Sequence, residues 1–398
     1  MVTPNNLSPI YAHIVGWGKA VPELELTNDD LSAFVETNDD WIRARTGIRA
    51  RRIAGERETT ATLGLKAARD ALEVADVLPI ELDLIIVATS TPEYIFPSTA
   101  SLIQDWLGAG KAGAFDLSAA CSGFVYAADM AAQSIRSGSI ETVLVIGAET
   151  MSRVLDWQDR STCILFGDGA GAVVLRASHE PGGVLSSVLR SDGSGHDLLG
   201  IPTVGSLDMH VNGISPNGHK MHKMHMHGGE VFKFATRVIG DSIKQAVDKA
   251  GITLADLDLI VPHQANVRII QAAARNLNLS LDMFMTNVDR YGNTSAASIP
   301  IALVEAIEGG RVHEGDYLAM IGFGGGLTWA SMVVQWSGEK QPETRFGPQR
   351  RAFSYALASW RARLRRSTRR YSEVFNRTRP QRGRMQRLRR KIDNIDLD

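Results

Sequence analysis

Residues 70–88 (DALEVADVLPIELDLIIVA) align with residues 245–263 (QAVDKAGITLADLDLIVPH) at a constant offset of 175. Each segment reads as the end of an amphipathic helix, a turn and then a buried strand. A second pair keeps the same order: FGDGAGAVVL (166–175) and FGGGLTWASMVV (323–334), each a glycine turn running into a strand. Chance accounts for one such pair. Two in the same order imply a chain built of two similar halves, 1–180 and 181–338. The length agrees, since 398 residues are many for one domain and natural for a duplicated one.

Within each half, β-branched apolar runs alternate with helical stretches. LDLIIVATS (82–90), TVLVIGAET (142–150) and GAVVLRA (171–177) read as strands buried on both faces. AARDALEVA, GFVYAADMAAQSIRSG and SLIQDWLGA read as helices. This alternation implies a mixed or parallel sheet covered by helices, and two such halves make a layered α/β/α/β/α body.

Charge sets the last part of the chain apart. Residues 340–398 carry 18 of the 43 Lys and Arg and 5 of the 44 Asp and Glu, which is +13 and leaves −14 on the rest. The boundary, SGEKQPETRFGPQ, is polar and holds two prolines, as a linker does. No apolar run approaches the ~18 residues of a membrane span. The first residues, MVTPNNLSPIY, lack the basic and apolar regions of a secretory leader. Two cysteines exclude a disulfide scaffold and suit a reducing, cytoplasmic setting.

Three segments carry chemistry. In AFDLSAACSGFVYAADMA (114–131) a strand-like AFDL leads through small residues to Cys121 and a helix. A helix N-terminus favours a thiolate, and small neighbours let a substrate approach, so Cys121 is a candidate nucleophile; a buried structural cysteine reads equally well from this segment alone. Cys163, in the apolar run TCILF read as a strand, is expected to be core. In DLIVPHQANVRIIQAAA (258–274), His263 follows a buried strand, at the end where open α/β sheets bind ligands. In DRYGNTSAASIPIAL (289–303), Asn293 sits in a Gly-Asn turn before a helix. Cys, His and Asn in this order also occur in papain-like proteases, and His263 lies 142 residues after Cys121. The neighbourhood of Cys121 is not C-G-[SA]-C-[WY], which argues against that reading.

With these segments in view, the chain resembles the β-ketoacyl-acyl-carrier-protein synthase III family of the thiolase superfamily. The resemblance is carried by DWIRARTGIRARR (40–52), FDLSAACSGF (115–124), ILFGDGAGAVVL (164–175), VPHQANVRII (261–270), GNTSAASIPIAL (292–303) and GFGGGLTWAS (322–331), six segments in order. It implies a duplicated, five-layered thiolase-like fold and an acyltransferase of fatty-acid biosynthesis. Cys121 would take an acyl group from acyl-CoA. His263 and Asn293 would donate hydrogen bonds to the enolate formed when malonyl-acyl carrier protein loses CO₂, and the backbone N–H groups of Cys121 and Gly325 would form the oxyanion hole. Both thioesters are substrates, and neither a cofactor nor a metal is implied.

The resemblance also places Trp41 and Arg160 around the adenine of CoA, with Thr37 and Arg45 nearby. Met226, Gly228, Phe232 and Asn266 would line the pantetheine tunnel. Lys233, Arg268 and Arg275 would meet the acidic acyl carrier protein. Phe96 would cross the interface of a homodimer to close the partner's acyl pocket. The pattern departs from the family in HKMHKMHMHGGEVF, where His219, His222, His225 and His227 cluster at a spacing that zinc accepts, although alternation with Met224 and Met226 fits a strand better. Relatives with the same three residues serve secondary metabolism, and a non-catalytic binding protein on this fold is a third reading. The intact triad argues against the third.

Residues 339–398 lie beyond the family's usual end. Phe353, Leu357, Trp360 and Leu364 recur at helical spacing among arginines, and RGRMQRLRRK (382–391) follows. A basic amphipathic helix of this kind suits an anionic membrane surface or an acidic protein partner, and a disordered solvated tail is the plainer reading. Nothing in the rest of the chain points to nucleic acid.

Overall fold

Strand Thr142–Thr150 (TVLVIGAET) is buried at every residue because helices cover both faces of its sheet. The computed structural model describes residues 9–203 and 218–337 and, further on, 355–358, 360, 364, 367 and 368. The first sheet runs in the order Tyr11–Ala20, Asp168–Ser178, Thr142–Thr150, Leu84–Ala88, Gly113–Leu117. The last three strands are parallel to one another, and the first two pairings are antiparallel. The second sheet runs Gly183–Ser191, Thr328–Gln335, Tyr317–Gly324, Leu259–Pro262 with the same pattern of directions. Where the first sheet has its fifth strand, the second has one parallel bridge, Ile260 to Phe284.

Side chains alternate along each strand and so feed two cores. Ile86, Val145 and Val173 point inward, where they meet Val261, Met320 and Met332 of the other sheet. Helices Gly123–Arg136 and Ser298–Glu308 fill this middle layer with Phe124, Ile135, Ile299 and Leu303. Ile85, Val87, Leu144 and Ile146 point outward against helices Thr60–Val74 and Thr99–Leu107. On the far side, helices Gly228–Ala250 and Val267–Leu277 cover Ile260, Ile321 and Val333. The result is a duplicated, five-layered α/β/α/β/α body, with each buried branched side chain contributing about 1.5–3 kcal/mol.

One local reading differs. Cys163 lies in a short helix, Arg160–Cys163, and not in a strand, because Asp159 accepts the N–H of Ser161 and turns the chain. It is nonetheless fully buried. In the extension, Phe353 and residues 382–391 lie outside the described residues. The described ones are helical; Trp360 and Leu364 are exposed, while Tyr355 packs beside the outer helices and donates to Val77 O at 3.1 Å. Among the described residues no helix is long and apolar enough to cross a membrane.

Candidate active site

The two middle helices begin alike. A 3₁₀ turn, Ala120–Ser122, feeds Gly123–Arg136, and another, Ser295–Ala297, feeds Ser298–Glu308. Cys121 sits in the first turn and lines a cavity of about 430 Å³ together with Ser90, Ala120, Phe166, Leu199, Ser295 and Gly325. The strand from Tyr317 to Gly324 presses on this turn: a Cβ on Gly324 would lie 2.8 Å from Cys121 N, and one on Gly322 would lie 3.0 Å from Cys121 O. Glycine alone permits that approach.

The sulfur donates to Ser295 Oγ at 3.4 Å. Full burial pushes the thiol up to about 12. This departs from the expectation that a helix N-terminus lowers it, because for a sulfur buried this deeply the desolvation of a thiolate outweighs the dipole. Cys121 in the resting enzyme is therefore a thiol.

His263 follows strand Leu259–Pro262 and is 2% exposed. Its N–H donates to Ile321 O at 2.7 Å, its Nδ1 lies 2.6 Å from Ser298 Oγ, and its ring meets Phe323 edge to face. Burial pushes the imidazole down to about 3, so it is neutral and acts as a hydrogen-bonding group without charge. Asn293 is tied to the first half by Asn293 N–H to Leu165 O at 2.8 Å and Gly167 N–H to Asn293 O at 3.0 Å. Its Oδ1 accepts the N–H of Ser295 at 2.8 Å, which leaves the Nδ2 side of the amide as the donor. Both residues are buried, and Cys121 and Gly325 line the cavity.

Trp41 lies on helix Asp39–Thr46, with the guanidinium of Arg45 at 4.2 Å and that of Arg160 at 5.3 Å from its ring centroid. Thr37 Oγ1 is buried and makes no hydrogen bond among the described residues. Asn266 caps helix Val267–Leu277 and donates to Arg45 O at 3.0 Å, which joins these residues to the second half. Met226 pairs with Leu199 in a two-residue strand, and its Cε lies 3.5 Å from where a Cβ on Gly228 would stand. Phe232 lies under Arg268 and lines a groove of about 470 Å³ with Arg237, Arg268 and Arg275. Lys233 instead pairs with Glu230 at 2.9 Å. Phe96 is 86% exposed, beside exposed Tyr94 and Ile95. His219 and His225 stack at 3.6 Å, and among the described residues no group of three or more His, Cys, Asp or Glu is placed to hold a metal ion.

Sequence reasoning missed Ser295, Ser298 and Glu149. Ser295 and Ser298 lie in the quoted segment GNTSAASIPIAL, and their spacing on a helix start was the available signal. Glu149 had one signal, an acid inside an otherwise apolar strand. It is fully buried and accepts from Ser90 N–H at 3.0 Å, Thr91 N–H at 3.0 Å and Ser295 Oγ at 2.9 Å. Burial pushes its carboxyl up, and these donors oppose that shift.

Comparison with known proteins places this architecture. The family description 3-Oxoacyl-[acyl-carrier-protein (ACP)] synthase III matches residues 115–193, and its C-terminal counterpart matches residues 247–336. The β-ketoacyl-[acyl-carrier-protein] synthase III of Symbiobacterium thermophilum is 51% identical over 324 residues, 81% of this chain and 97% of that protein. The crystal structure of 3-oxoacyl-[acyl-carrier-protein] synthase III from Aquifex aeolicus is 46% identical, with a TM-score of 0.76 over 82% of this chain and 100% of the other. The priming β-ketosynthase of the R1128 polyketide pathway is 37% identical, with a TM-score of 0.78 over 85% of this chain and 100% of its own. Fold and comparisons together define a thiolase-fold condensing enzyme, an acyltransferase. The chain belongs to the β-ketoacyl-[acyl-carrier-protein] synthase III family, the initiating condensing enzymes of type II fatty-acid synthesis.

Proposed function

We propose that Cys121 accepts an acyl group from an acyl-CoA and that the acyl-enzyme condenses with malonyl-acyl carrier protein to give 3-oxoacyl-acyl carrier protein, CO₂ and CoA. The observation that carries this reading is the strand Tyr317–Gly324, whose glycines close on Cys121 while its Ile321 carbonyl holds His263. One rigid element thus sets the distance between nucleophile and imidazole. The Cys121 and Gly325 N–H groups receive the acyl carbonyl oxygen as it becomes an oxyanion. His263, neutral by burial, and the Asn293 amide donate to the malonyl thioester oxygen as CO₂ leaves and an enolate forms, where preorganised donors act most strongly. These steps draw on the chain's own groups and the two thioesters, and no resident cofactor enters them.

Trp41, Arg45 and Arg160 offer a stacking face and guanidinium donors for the nucleotide of CoA, with Thr37 beside them. Met226, Gly228, Phe232 and Asn266 lead inward from there along the pantetheine. Arg268 and Arg275, joined by Arg237, make a cationic groove for an acidic carrier protein, with Lys233 at its side. A second copy pairs along the exposed strand Gly113–Leu117, where Phe115 is 39% exposed, and covers Phe96. The two free thiols accord with a cytoplasmic setting. We take the halves as 1–180 and 181–338. The basic extension is proposed to lie against an anionic membrane surface or an acidic partner.

The test is a mass-spectrometric product assay with a panel of acyl-CoAs, offering malonyl-carrier protein and malonyl-CoA separately. A 3-oxoacyl product on the carrier protein is expected. Condensation with malonyl-CoA alone would instead assign the enzyme to the secondary-metabolite relatives. Intact mass should show one acyl adduct per chain, absent in Cys121→Ala and kept in Cys163→Ala.

A further inference from the structure

The steps above leave one proton without a destination. Cys121 is a thiol in the resting enzyme and must lose its proton to attack an acyl donor. His263 serves as a donor to the enolate in these steps, with Ser298 Oγ 2.6 Å from its Nδ1, and the sulfur's hydrogen bond goes elsewhere. It runs to Ser295 Oγ at 3.4 Å, and Ser295 Oγ in turn donates to Glu149 Oε1 at 2.9 Å.

The direction of these bonds is fixed by their surroundings. The N–H groups of Ser90 and Thr91 donate to Glu149 and cannot accept. The Thr91 hydroxyl accepts the N–H of Thr150 at 2.9 Å, so its own proton points at Glu149. The Thr89 hydroxyl approaches the same oxygen at 3.2 Å. A carboxyl group surrounded by donors in this way is built to be the acceptor of every bond it makes, which is the role of the ionised form. The mechanism otherwise gives this buried acid nothing to do.

We propose that Glu149, reached through the Ser295 hydroxyl, takes the proton of Cys121 during acyl transfer and returns it when condensation releases the thiolate. This rests on Cys121 being the nucleophile. As the sulfur lone pair forms the S–C bond, the thiol proton moves to Ser295 Oγ and the Ser295 proton moves to Glu149. The C–S bond to CoA breaks, and CoA leaves as a thiolate that takes a proton from water. Glu149 stays protonated while the acyl group occupies Cys121. When the malonyl-derived enolate attacks the acyl carbonyl, the bond to Cys121 breaks and the proton returns over the same two hydrogen bonds. Charge balances at each stage, and the relay is reset once per turnover. Ser295 touches the reacting sulfur; Glu149 acts only through it and is a positioning residue.

The test compares Ser295→Ala and Glu149→Gln with the wild type at pH 7. Two rates are read by intact mass: acylation of Cys121 by acyl-CoA, and alkylation of Cys121 by iodoacetamide, which needs no substrate site. Both variants should slow both reactions by about 10²-fold, the lower end of what a positioned base supplies. A purely electrostatic role predicts the opposite sign for Glu149→Gln, because losing a nearby negative charge eases thiolate formation and speeds alkylation. Thermal melting, and protection of the buried Cys163 from alkylation under native conditions, report folding; if Glu149→Gln fails to fold, Ser295→Ala, which keeps the backbone bond to Asn293, decides alone. Either folded variant alkylating at or above the wild-type rate overturns the relay. An adduct that persists in Cys121→Ala would instead overturn the nucleophile assignment, so the two failures are distinct.

Discussion

Ala120 and Ser295 hold matching left-handed backbone conformations, φ +45° and +49°, 175 residues apart. That is the offset at which the two halves align in sequence, so the duplication reaches down to single dihedral angles. It also makes Cys121 and Ala296 equivalent positions, and each is gripped by a glycine of the opposite half's sheet. A Cβ on Gly147, in the first sheet, would lie 2.2 Å from Ala296 O, and one on Gly322, in the second, would lie 2.7 Å from Ser122 Cα. The halves hold each other by an exchange of glycines.

The two glycine contacts should therefore fail differently when filled. Gly147→Ala should lower stability by about 1–3 kcal/mol through overpacking against backbone that cannot move aside. Gly322→Ala should cost a similar amount and also slow acylation, since it displaces the turn that carries Cys121. Denaturant melts and acylation rates check both, and a Gly322→Ala enzyme with wild-type acylation would count against the strand as the element that sets the nucleophile.

His263→Ala and Asn293→Ala should still accept an acyl group from acyl-CoA but lose decarboxylation of malonyl-carrier protein by ~10²–10³-fold each. Single-turnover acylation and CO₂ release measure the halves separately. A variant that decarboxylates at the wild-type rate would remove its residue from the enolate site.

The donor series tests the CoA end. Trp41→Ala and Arg160→Ala should raise KM for acyl-CoA while leaving a minimal acyl thioester, which lacks the nucleotide, nearly unaffected. Equal loss with both donors would place the defect in folding or in the inner tunnel.

Stability should fall with pH in a way that His263 dictates. Its folded pKa, about 3, lies below the ordinary imidazole value of 6.5. The unfolded chain thus binds a proton there that the folded chain refuses, so stability is lost as pH falls below 6.5. His263→Gln should show a shallower decline of melting temperature between pH 6.5 and about 3 than the wild type. Glu149 and Asp168, whose carboxyls burial pushes up, act in the opposite direction but are common to both proteins. Parallel curves would mean that the imidazole is solvated in the folded state.

How much of this was legible in the sequence depended on range. The strands and helices around 84–88, 142–150 and 123–136 were visible because hydrophobic period and glycine punctuation are local signals. The duplication was visible because a fixed offset is a property of the string. Cys121, His263 and Asn293 could be singled out as residue types at strand and helix ends, but their burial could not. Burial turned the expected low thiol pKa into a raised one. Glu149 passed unnoticed because its meaning lies in contacts with Ser90, Thr91 and Ser295, which fall on other elements. The turn at Arg160–Cys163 was misread because one capping contact from Asp159 outweighed an apolar run.

A chain ending at Gly338 should condense as well as the full chain. It loses the Tyr355 bond to Val77, worth about 0.5–1.5 kcal/mol, and, among the described residues, nothing that lines the cavity. The full chain, but not the shortened one, should sediment with anionic vesicles, with salt weakening the effect, since each arginine near such a surface contributes roughly 1 kcal/mol. Equal behaviour of the two on vesicles at low salt would leave a protein partner for the extension.

The uneven outer strands have a consequence for how many copies can join. In the first sheet the strand Gly113–Leu117 ends the row with exposed residues, while in the second the place beyond Leu259–Pro262 is taken by Phe284 and by the Met285 N–H bonded to Ile260 O at 2.8 Å. A duplicated chain with equal open edges on both halves would add copies end to end without limit. With the place beyond Leu259–Pro262 filled, two copies that met along Gly113–Leu117 would have no equivalent edge on the second half through which to continue. In the proposed pair, the lost fifth strand would be what keeps edge-to-edge joining from running on into a fibre.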